Sequence, residues 1–297
     1  MSIRIVIVGG GNIGRAALEA ALAAPDMEVA GVLRRTPEPL LGFESIPTSS
    51  ASSDFGAFDV AILAVPSRSV PEYAEEFLRQ GITTVDSFDI HSEIPAVRQR
   101  LHAAAVAGNA RAVLSAGWDP GSDSILRTLL EAMAPKGITH TNFGPGMSMG
   151  HSVAVKAIAG VRDALSVTVP KGEGLHRRMV YVELESGASF DEIAQNIKAD
   201  PYFVHDETHV FDVPSVDALK DTGHGVHMER KGVSGCTQNQ RFSFDMSINN
   251  PSLTGQIMIS CARAALRQPA PGCYTMIELP TVDMLPGDRD EWVKKLV

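Results

Sequence analysis

Three glycines near the N-terminus are spaced for contact with a dinucleotide. Gly9, Gly11 and Gly14 form a G-x-G-x-x-G pattern between an apolar run at residues 3–8, which predicts a strand buried on both faces, and an Ala- and Leu-rich segment at 16–24, which predicts a helix. The first glycine permits a tight turn, the second lets a pyrophosphate approach the backbone, and the third lets the helix pack close to the strand. A plain glycine-rich turn is the alternative. The residues expected to bind the cofactor here are Gly9, Gly11, Asn12, Ile13 and Gly14.

Two arginines follow the second predicted strand, residues 29–33. Arg34 lies 20 residues after Gly14, with Arg35 beside it. At this place an NAD site has an acidic residue that binds the ribose 2′-hydroxyl, whereas an arginine accommodates a 2′-phosphate. Two arginines with no acid between them favour NADP, and a solvated charge pair is the alternative.

Three further strands, predicted at 59–65, 83–85 and 112–115, end in segments with polar residues and glycines. Ligands of parallel sheets gather at the carboxyl ends of the strands. We therefore expect these segments to line a site. The residues expected beside the cofactor are Val65, Pro66, Ser67, Arg68, Pro120 and Gly121.

Two carboxylates, Asp89 and Asp119, follow the last two of these strands, at 83–85 and 112–115. Two acids near a nicotinamide suit a cationic substrate or proton handling on an amine. Helix capping is the alternative, and Asp119 before a proline is well suited to it. Trp118 is predicted to line a pocket, with packing in the hydrophobic core as the alternative.

The elements that must position these residues alternate between strand and helix, with helices predicted at 71–80 and 95–107. This alternation predicts a Rossmann-type doubly wound parallel sheet over residues 1–121. From residue 122 a helix at 122–133 is followed by more closely spaced strands, which predicts an α+β substrate-binding and dimerisation domain over 122–250. The strands are expected at 161–169, 179–184, 209–213 and 241–248, with a helix at 189–199. A helix at 252–267 and a strand at 274–279 are expected to return the tail, about 251–297, to the first domain.

Composition, charge and cysteine spacing argue against several classes of protein. The 297 residues carry a net charge of −9, which argues against nucleic acid and anionic membranes as partners. No apolar run is long enough to span a bilayer, and the chain enters a core strand at once, so no signal peptide is expected. The three cysteines show no C-x-x-C spacing, which argues against a disulfide framework or a structural zinc. We expect a cytoplasmic protein without a metal.

The second half contains three further candidates. The glycine- and methionine-rich segment 144–152 predicts a mobile loop that closes over a ligand, with a surface turn as the alternative. His224 lies between two glycines, which indicates close approach to its backbone; it and His227 lack the neighbours of a metal site. Arg177 and Arg178 precede an apolar strand, and either one pointing inward would clamp a carboxylate. Solvation of both is the alternative.

Six segments occur together and in a fixed order along nearly the whole chain. They are Val8-Gly-Gly-Gly-Asn-Ile-Gly-Arg15, Val85-Asp-Ser-Phe-Asp89, Ser115-Ala-Gly-Trp-Asp-Pro-Gly121, Phe143-Gly-Pro-Gly-Met-Ser-Met-Gly-His-Ser152, Thr222-Gly-His224 and Asn249-Asn-Pro251. In these segments the chain resembles meso-diaminopimelate dehydrogenases. The third and fourth segments are far more specific than the glycine loop.

The resemblance implies NADP-dependent, reversible oxidative deamination at the D-centre of meso-2,6-diaminopimelate. The products are L-2-amino-6-oxopimelate, which cyclises to tetrahydrodipicolinate, ammonia and NADPH, in lysine and peptidoglycan precursor metabolism. It also implies a homodimer. By resemblance, Asp89, Trp118 and Asp119 surround the reacting D-amino-acid end. The remainder of the substrate would contact Phe143, Met149, Gly150, Thr168, Arg178, His224 and Asn250.

Two positions depart from the family pattern. Some members have Trp where this chain has Phe143 and Gln where it has Met149. Both changes make the pocket less polar, so activity on other D-amino acids is expected as well. Two other hypotheses on the function remain open. The chain could be another amino-acid-pathway oxidoreductase, similar to aspartate dehydrogenase or dihydrodipicolinate reductase, or a non-catalytic NADP-binding sensor.

Overall fold

The computed structural model describes residues 2–220 and 223–297. The chain divides into two compact units, one formed by residues 2–128 with Pro251–Val297 and the other by Leu129–Asn250. Each unit is built on its own sheet, of seven strands in the first and six in the second.

The sheet of the first unit is parallel in every described pairing. Its strands are β1 (Ile3–Val8), β2 (Met27–Leu33), β3 (Thr48–Ser49), β4 (Val60–Leu63), β5 (Thr83–Asp86), β6 (Arg111–Leu114) and β13 (Gly272–Thr275). They lie in the order β13-β6-β5-β4-β1-β2-β3. Ile5, Val6 and Ile7 of β1 are fully buried, as a strand covered on both faces requires. The predicted Rossmann-type parallel sheet is confirmed.

Helices cover both faces of this sheet. Those packed on it are α1 (Asn12–Ala23), α2 (Val70–Arg79), α3 (Ile94–Ala107) and α7 (Asn250–Leu266). Helix α4 (Ser122–Met133) continues past Thr128 into the second unit, and α8 (Arg289–Leu296) has no buried residue. Successive side chains of a strand point to opposite faces. Accordingly, Ile7 packs in a cluster with Leu18 of α1 and Met258 of α7, whereas Val6 packs in a second cluster with Phe77 of α2.

The second unit has a mixed sheet with the strand order β10-β9-β8-β7-β11-β12. The strands are β7 (Lys136–Ser148), β8 (Val161–Gly172), β9 (Leu175–Leu184), β10 (Glu207–Asp212), β11 (His224–Ser234) and β12 (Thr237–Ile248). Only the β9–β10 pair is parallel among the described pairings. Two helices, α5 (Met149–Lys156) and α6 (Phe190–Ala199), bury Val155, Ile193 and Ile197 against Val180 and Val182 of β9.

The predicted mobile loop at 144–152 is wrong. Strand β7 continues to Ser148, and α5 begins at Met149. The glycines are there because neighbouring strands come very close: a Cβ at Gly146 would lie 2.0 Å from the carbonyl oxygen of Gly223, and one at Gly144 would lie 2.2 Å from that of Thr168. The segment is therefore strand up to Ser148 and helix from Met149 onward.

Two other differences concern strands. Strand β11, at 224–234, has no counterpart among the predicted strands because its buried positions alternate between apolar residues and His224, Arg230 and Gly232. The strand expected at 274–279 is shorter: β13 ends at Thr275, and a single helical turn, Met276–Glu278, follows. Among the described residues no helix is both long and apolar enough to cross a bilayer.

Candidate active site

The glycine loop after β1 leaves a bare backbone at the start of α1. A Cβ at Gly9, where φ is +106°, would lie 2.3 Å from the carbonyl oxygen of Ala64, and one at Gly14 would lie 2.1 Å from that of Gly9. A Cβ at Gly11, in contrast, would have no neighbour within 4 Å. Gly11 is the N-cap of α1 and supplies no side chain to the first-turn N–H groups. These N–H groups, which begin at Asn12, are therefore available to an anion.

A cavity of about 580 Å³ adjoins this loop. Residues after β2 and β4 line it, together with the glycines, and none of the lining residues is acidic. Arg34 is held by a hydrogen bond from Nη1 to the carbonyl oxygen of Glu38, at 2.7 Å. The cavity brings together six predicted cofactor residues, Gly9, Gly11, Arg34, Arg35, Val65 and Pro66. It adds the unpredicted Thr36, Ser50, Ser69 and Tyr73. Asn12, Ile13, Gly14, Ser67, Arg68, Pro120 and Gly121 lie outside its lining.

Ser67 and Asp89 join the carboxyl ends of β4 and β5. The Ser67 hydroxyl donates to Oδ1 of Asp89 at 2.6 Å, and the Asp89 N–H donates to the Ser67 oxygen at 3.3 Å. Ser67 thus orients the first candidate catalytic acid.

Asp86, at the end of β5, fastens the two loops that carry the candidate catalytic residues. Its Oδ1 accepts hydrogen bonds from the N–H of Phe88, at 2.9 Å, and of Ser115, at 3.0 Å. The side chain is fully buried, and this burial raises the pKa of Asp86 to about 6. Asp86 was not among the predicted site residues, since its partners are backbone groups.

Asp119 belongs to a set of three ionisable side chains. Oδ1 of Asp119 accepts from Nη1 and Nη2 of Arg127 at 3.3 and 3.4 Å. Nη2 of Arg127 also lies 2.7 Å from Oδ2 of Asp123, which is fully buried. Burial and the charge of Asp119 raise the pKa of Asp123 to about 8. The adjacent Trp118 is buried as well. Asp123 and Arg127 were not predicted, although their i,i+4 spacing on a predicted helix was a signal for an ion pair.

In the second unit Arg178 is held in a fixed orientation. Its Nε donates to Oδ2 of Asp206 at 2.6 Å, and its Nη1 donates to the hydroxyl of Thr168, which is buried. The Arg178 side chain is 13 % exposed, whereas that of Arg177 is 41 % exposed and pairs with Glu207 at 2.7 Å. A partly buried guanidinium held at two of its nitrogens is suited to binding a carboxylate.

Two histidines of the second unit, His176 and His224, lie near Phe143, a predicted substrate residue. The Phe143 N–H donates to Nε2 of His176 at 3.0 Å, and the Phe143 ring centroid lies 5.5 Å from that of His176 and 6.5 Å from that of His224. Nδ1 of His224 lies 3.1 Å from the carbonyl oxygen of Met147, so this nitrogen carries the hydrogen. His224 itself is buried.

His151 is a further candidate that the predictions omitted. Its Nδ1 lies 2.8 Å from the hydroxyl of Ser148. Burial, together with the charge of Arg178, lowers the pKa of His151 to about 4, and the same two causes lower the pKa of His176. Both shifts favour the neutral forms of His151 and His176, so Arg178 is the cation of this group.

The remaining predicted substrate residues lie at helix starts. Met149 and Gly150 open α5, and Asn250 is the first residue of α7. Thr222, which the Thr222-Gly-His224 segment includes, lies outside the described residues. Among the described residues no cluster of three His, Cys, Asp or Glu side chains has the arrangement of a metal site.

Comparison with known proteins gives one family-model match to part of the chain and relatives that match over nearly all of it. The family model for the diaminopimelic acid dehydrogenase C-terminal domain matches residues 117–177. The meso-diaminopimelate D-dehydrogenase of Bacteroides fragilis is 59 % identical over 302 residues, with 99 % of each chain covered. The enzyme of the same name from Corynebacterium glutamicum is 32 % identical over 322 residues, again with 99 % of each chain covered.

Two solved structures match over the whole chain. A C. glutamicum diaminopimelate dehydrogenase in complex with diaminopimelate superposes with a TM-score of 0.89, at 30 % identity, covering 100 % of this chain and 99 % of that one. An engineered D-amino acid dehydrogenase bound to NADP⁺ superposes with a TM-score of 0.86, also at 30 % identity, covering 100 % of both chains.

Proposed function

The chain belongs to the meso-diaminopimelate D-dehydrogenase family, and we propose that it catalyses the NADP-dependent oxidative deamination of the D-centre of meso-2,6-diaminopimelate. The products are L-2-amino-6-oxopimelate, ammonia and NADPH, and the reverse reaction is a reductive amination. The observation that carries this proposal is the 59 % identity with the B. fragilis enzyme over nearly all of both chains.

The glycine loop and its cavity fit NADP. The open space at Gly11 and the first-turn N–H groups of α1 suit a pyrophosphate. Arg34 and Arg35 line the cavity without an acid that would repel a 2′-phosphate. When bound, the cofactor supplies the hydride acceptor; the residues of this chain bind and orient it.

Asp89 and Asp119 are proposed to hold the amino group at the D-centre. An ammonium group must lose a proton before hydride can leave the adjacent carbon. Carboxylates beside it orient the N–H bonds and help pass the proton to water. Ser67 keeps Asp89 in place, and Arg127 does so for Asp119. Trp118, next to Asp119, limits the access of water on this proposal.

In the second unit, Arg178 is proposed to bind a carboxylate of the substrate. Asp206 and Thr168 hold the guanidinium, while Nη2 has no hydrogen-bond partner among the described residues and is directed to the ligand on this proposal. His224 is also proposed to contact the substrate, and its ring is oriented by the hydrogen bond from Nδ1 to the carbonyl oxygen of Met147. Gly150 and Asn250 complete the proposed contacts.

Phe143 and Met149 make this part of the second unit less polar than the Trp and Gln found in some family members. The Phe143 ring packs against His176 rather than offering a hydrogen bond. We therefore propose that the enzyme also accepts other D-amino acids, at lower rates than meso-diaminopimelate.

The active form is proposed to be a cytoplasmic homodimer. Tyr181 of β9 and Phe211 of β10 stack at 5.3 Å on the sheet face opposite to α6, and Phe211 is 39 % exposed. Such an apolar pair suits contact with a second copy. All three cysteines are free, as expected in a reducing compartment. Light scattering should give twice the 31.7 kDa chain mass.

The reaction is tested by NADPH formation over a panel of meso-diaminopimelate, D-amino acids and L-amino acids. Turnover of meso-diaminopimelate with NADP is the expected result. Preferential turnover of L-aspartate would instead identify an aspartate dehydrogenase. Binding of NADP without turnover of any member of the panel would indicate a sensor.

A further inference from the structure

Two carboxyl groups face one guanidinium at the start of α4. Arg127 contacts Oδ1 of Asp119 at 3.3 and 3.4 Å and Oδ2 of Asp123 at 2.7 Å. The Asp123 side chain is fully buried, while that of Asp119 is 14 % exposed. Oδ2 of Asp123 has no hydrogen bond of good geometry among the described residues. The guanidinium approaches this oxygen closely without making an aligned hydrogen bond to it.

A single positive charge does not balance two carboxylates in this position. Burial disfavours the ionised form of a carboxyl group, and a neighbouring carboxylate disfavours it further. Both effects act on Asp123 and outweigh the opposite effect of Arg127. Burial and the neighbouring carboxylate therefore favour a proton on Asp123, the more buried of the two, at neutral pH.

We propose that Asp123 is a positioning residue for the deamination: its carboxyl group keeps a proton, donates it in a hydrogen bond to Asp119, and thereby holds Asp119 as the one ionised acceptor for the substrate ammonium group. This rests on the proposed function, in which Asp119 binds the amino group at the D-centre. Asp123 itself does not touch the substrate.

The proton on Asp123 sets the local charge. With it in place, the charges of Asp119 and Arg127 cancel. An ionised Asp123 would add a negative charge beside the ammonium group and raise the pKa of that group. The substrate would then keep the proton that must leave before hydride transfer. The neutral carboxyl group thus supports binding through Asp119 without stabilising the unreactive ammonium form.

The groups around Asp123 come from two elements. Asp119 lies in the loop before α4, and Arg127 lies one turn further along α4; these are the charged groups that act on it. The hydroxyl of Ser124 lies 3.5 Å from Oδ1 of Asp123. The Asp123 N–H donates to the carbonyl oxygen of Trp118 at 3.0 Å, which joins its backbone to the loop that carries Asp119.

The first test compares Asp123→Asn with Asp123→Leu. Asparagine is a permanently neutral donor, so kcat/KM for meso-diaminopimelate at neutral pH should remain close to that of the wild type. Because kcat/KM reports ionisations of the free enzyme, its pH profile should lose the alkaline ionisation near 8 that Asp123 gives the wild type. Leucine removes the donor, and kcat/KM should fall about 10- to 150-fold, as for one hydrogen bond to a charged group.

The control is Asp191→Asn, which makes the same change in the first turn of α6, where the residue is exposed. It should leave both the rate and the pH profile unchanged. Equal losses in Asp123→Asn and Asp123→Leu, with the wild-type pH profile retained in Asp123→Asn, would show a purely structural role and overturn the proposal.

The second test measures the proton without turnover. In protein labelled with ¹³C at the aspartate carboxyl carbons, one signal that is missing from Asp123→Asn should titrate near pH 8. In Asp119→Asn its midpoint should fall, because a like charge has been removed. A midpoint of about 4, the ordinary value for aspartate, in an active wild type would overturn the role proposed for Asp123 and leave the proposed function standing. A wild type that does not deaminate meso-diaminopimelate would refute the proposed function instead.

Discussion

Replacing Arg178 with lysine should raise KM for meso-diaminopimelate steeply and leave NADP binding unchanged. In the structure the guanidinium is held by Asp206 through Nε, at 2.6 Å, and by Thr168 through Nη1. This anchoring presents the rest of the planar group to a carboxylate. A lysine ammonium group keeps the charge but has no planar fork, so it cannot retain its anchors and bind the carboxylate in the same geometry.

The size of the effect follows from the number of bonds that the ligand loses. A hydrogen bond to a charged group contributes about 1.5–3 kcal/mol. Loss of one such bond corresponds to a rise in KM of about 10- to 150-fold, since about 1.4 kcal/mol equals a factor of ten. The Arg178 side chain is 13 % exposed, so solvent screens it little. Because the lost bond lies away from the reacting carbon, kcat should change less than KM.

The assay is the initial rate of NADPH formation against meso-diaminopimelate concentration, together with a fluorescence titration of NADP binding. Arg177→Lys is the matched control, because Arg177 is the neighbouring residue, is 41 % exposed and pairs with Glu207. Its KM should stay at the wild-type value. A wild-type KM in Arg178→Lys, or an equal rise in both variants, would refute the carboxylate-binding role of Arg178.

Two further predictions concern the first unit. Replacing Arg34 and Arg35 together with alanine should weaken NADP binding by about tenfold or more through loss of charge-assisted bonds and leave NAD binding nearly unchanged; equal losses for both cofactors in a binding titration would show that these arginines do not contact the 2′-phosphate. Asp119→Asn should lower kcat more than it raises KM if this carboxylate assists deprotonation of the amine, and a raised KM with unchanged kcat would restrict Asp119 to substrate binding.

The first unit was largely predictable from the sequence because its strands are buried on both faces. Such strands are continuous apolar runs, and β1 was predicted with its observed bounds, residues 3–8. The glycine spacing was equally informative, since the close contacts of Gly9 and Gly14 exclude any side chain there. The position of the cavity next to Arg34 follows from the general rule that parallel sheets bind ligands at the carboxyl ends of their strands.

The second unit was less predictable because its strands mix apolar and polar residues on the buried face. Arg230 of β11 is buried through contacts with Glu131, Thr139 and the backbone of Ala134, which no local pattern reveals. The glycines of β7 give this segment the composition of a loop, although they allow neighbouring strands to pack closely.

Site residues whose partners are distant in sequence were missed for the same reason. Asp206 lies 28 residues from Arg178, and its role appears only when β9 and the segment before β10 are brought together. Asp86 joins its own loop, through the N–H of Phe88, to the N–H of Ser115, which lies 29 residues away. Resemblance to a family predicted residues for substrate contact, but not Asp206, Asp86 and Asp123, which hold predicted site residues or the loops that carry them.

The most direct test of the account is the stereochemistry of the reaction. If Asp89 and Asp119 hold the amino group and other contacts hold the carboxylate and the remainder of the substrate, the single hydrogen on the tetrahedral carbon has only one direction, which is toward the nicotinamide in a D-centre. Reaction requires the reacting atoms within about 3–3.5 Å of each other, and an L-centre held by the same contacts would direct its hydrogen away.

The measurement is therefore the rate of NADPH formation with meso-diaminopimelate compared with LL-diaminopimelate under the same conditions. Turnover of the meso isomer, none of the LL isomer, and side activity confined to D-amino acids are the predicted results. Turnover of LL-diaminopimelate at a comparable rate would contradict the proposed geometry.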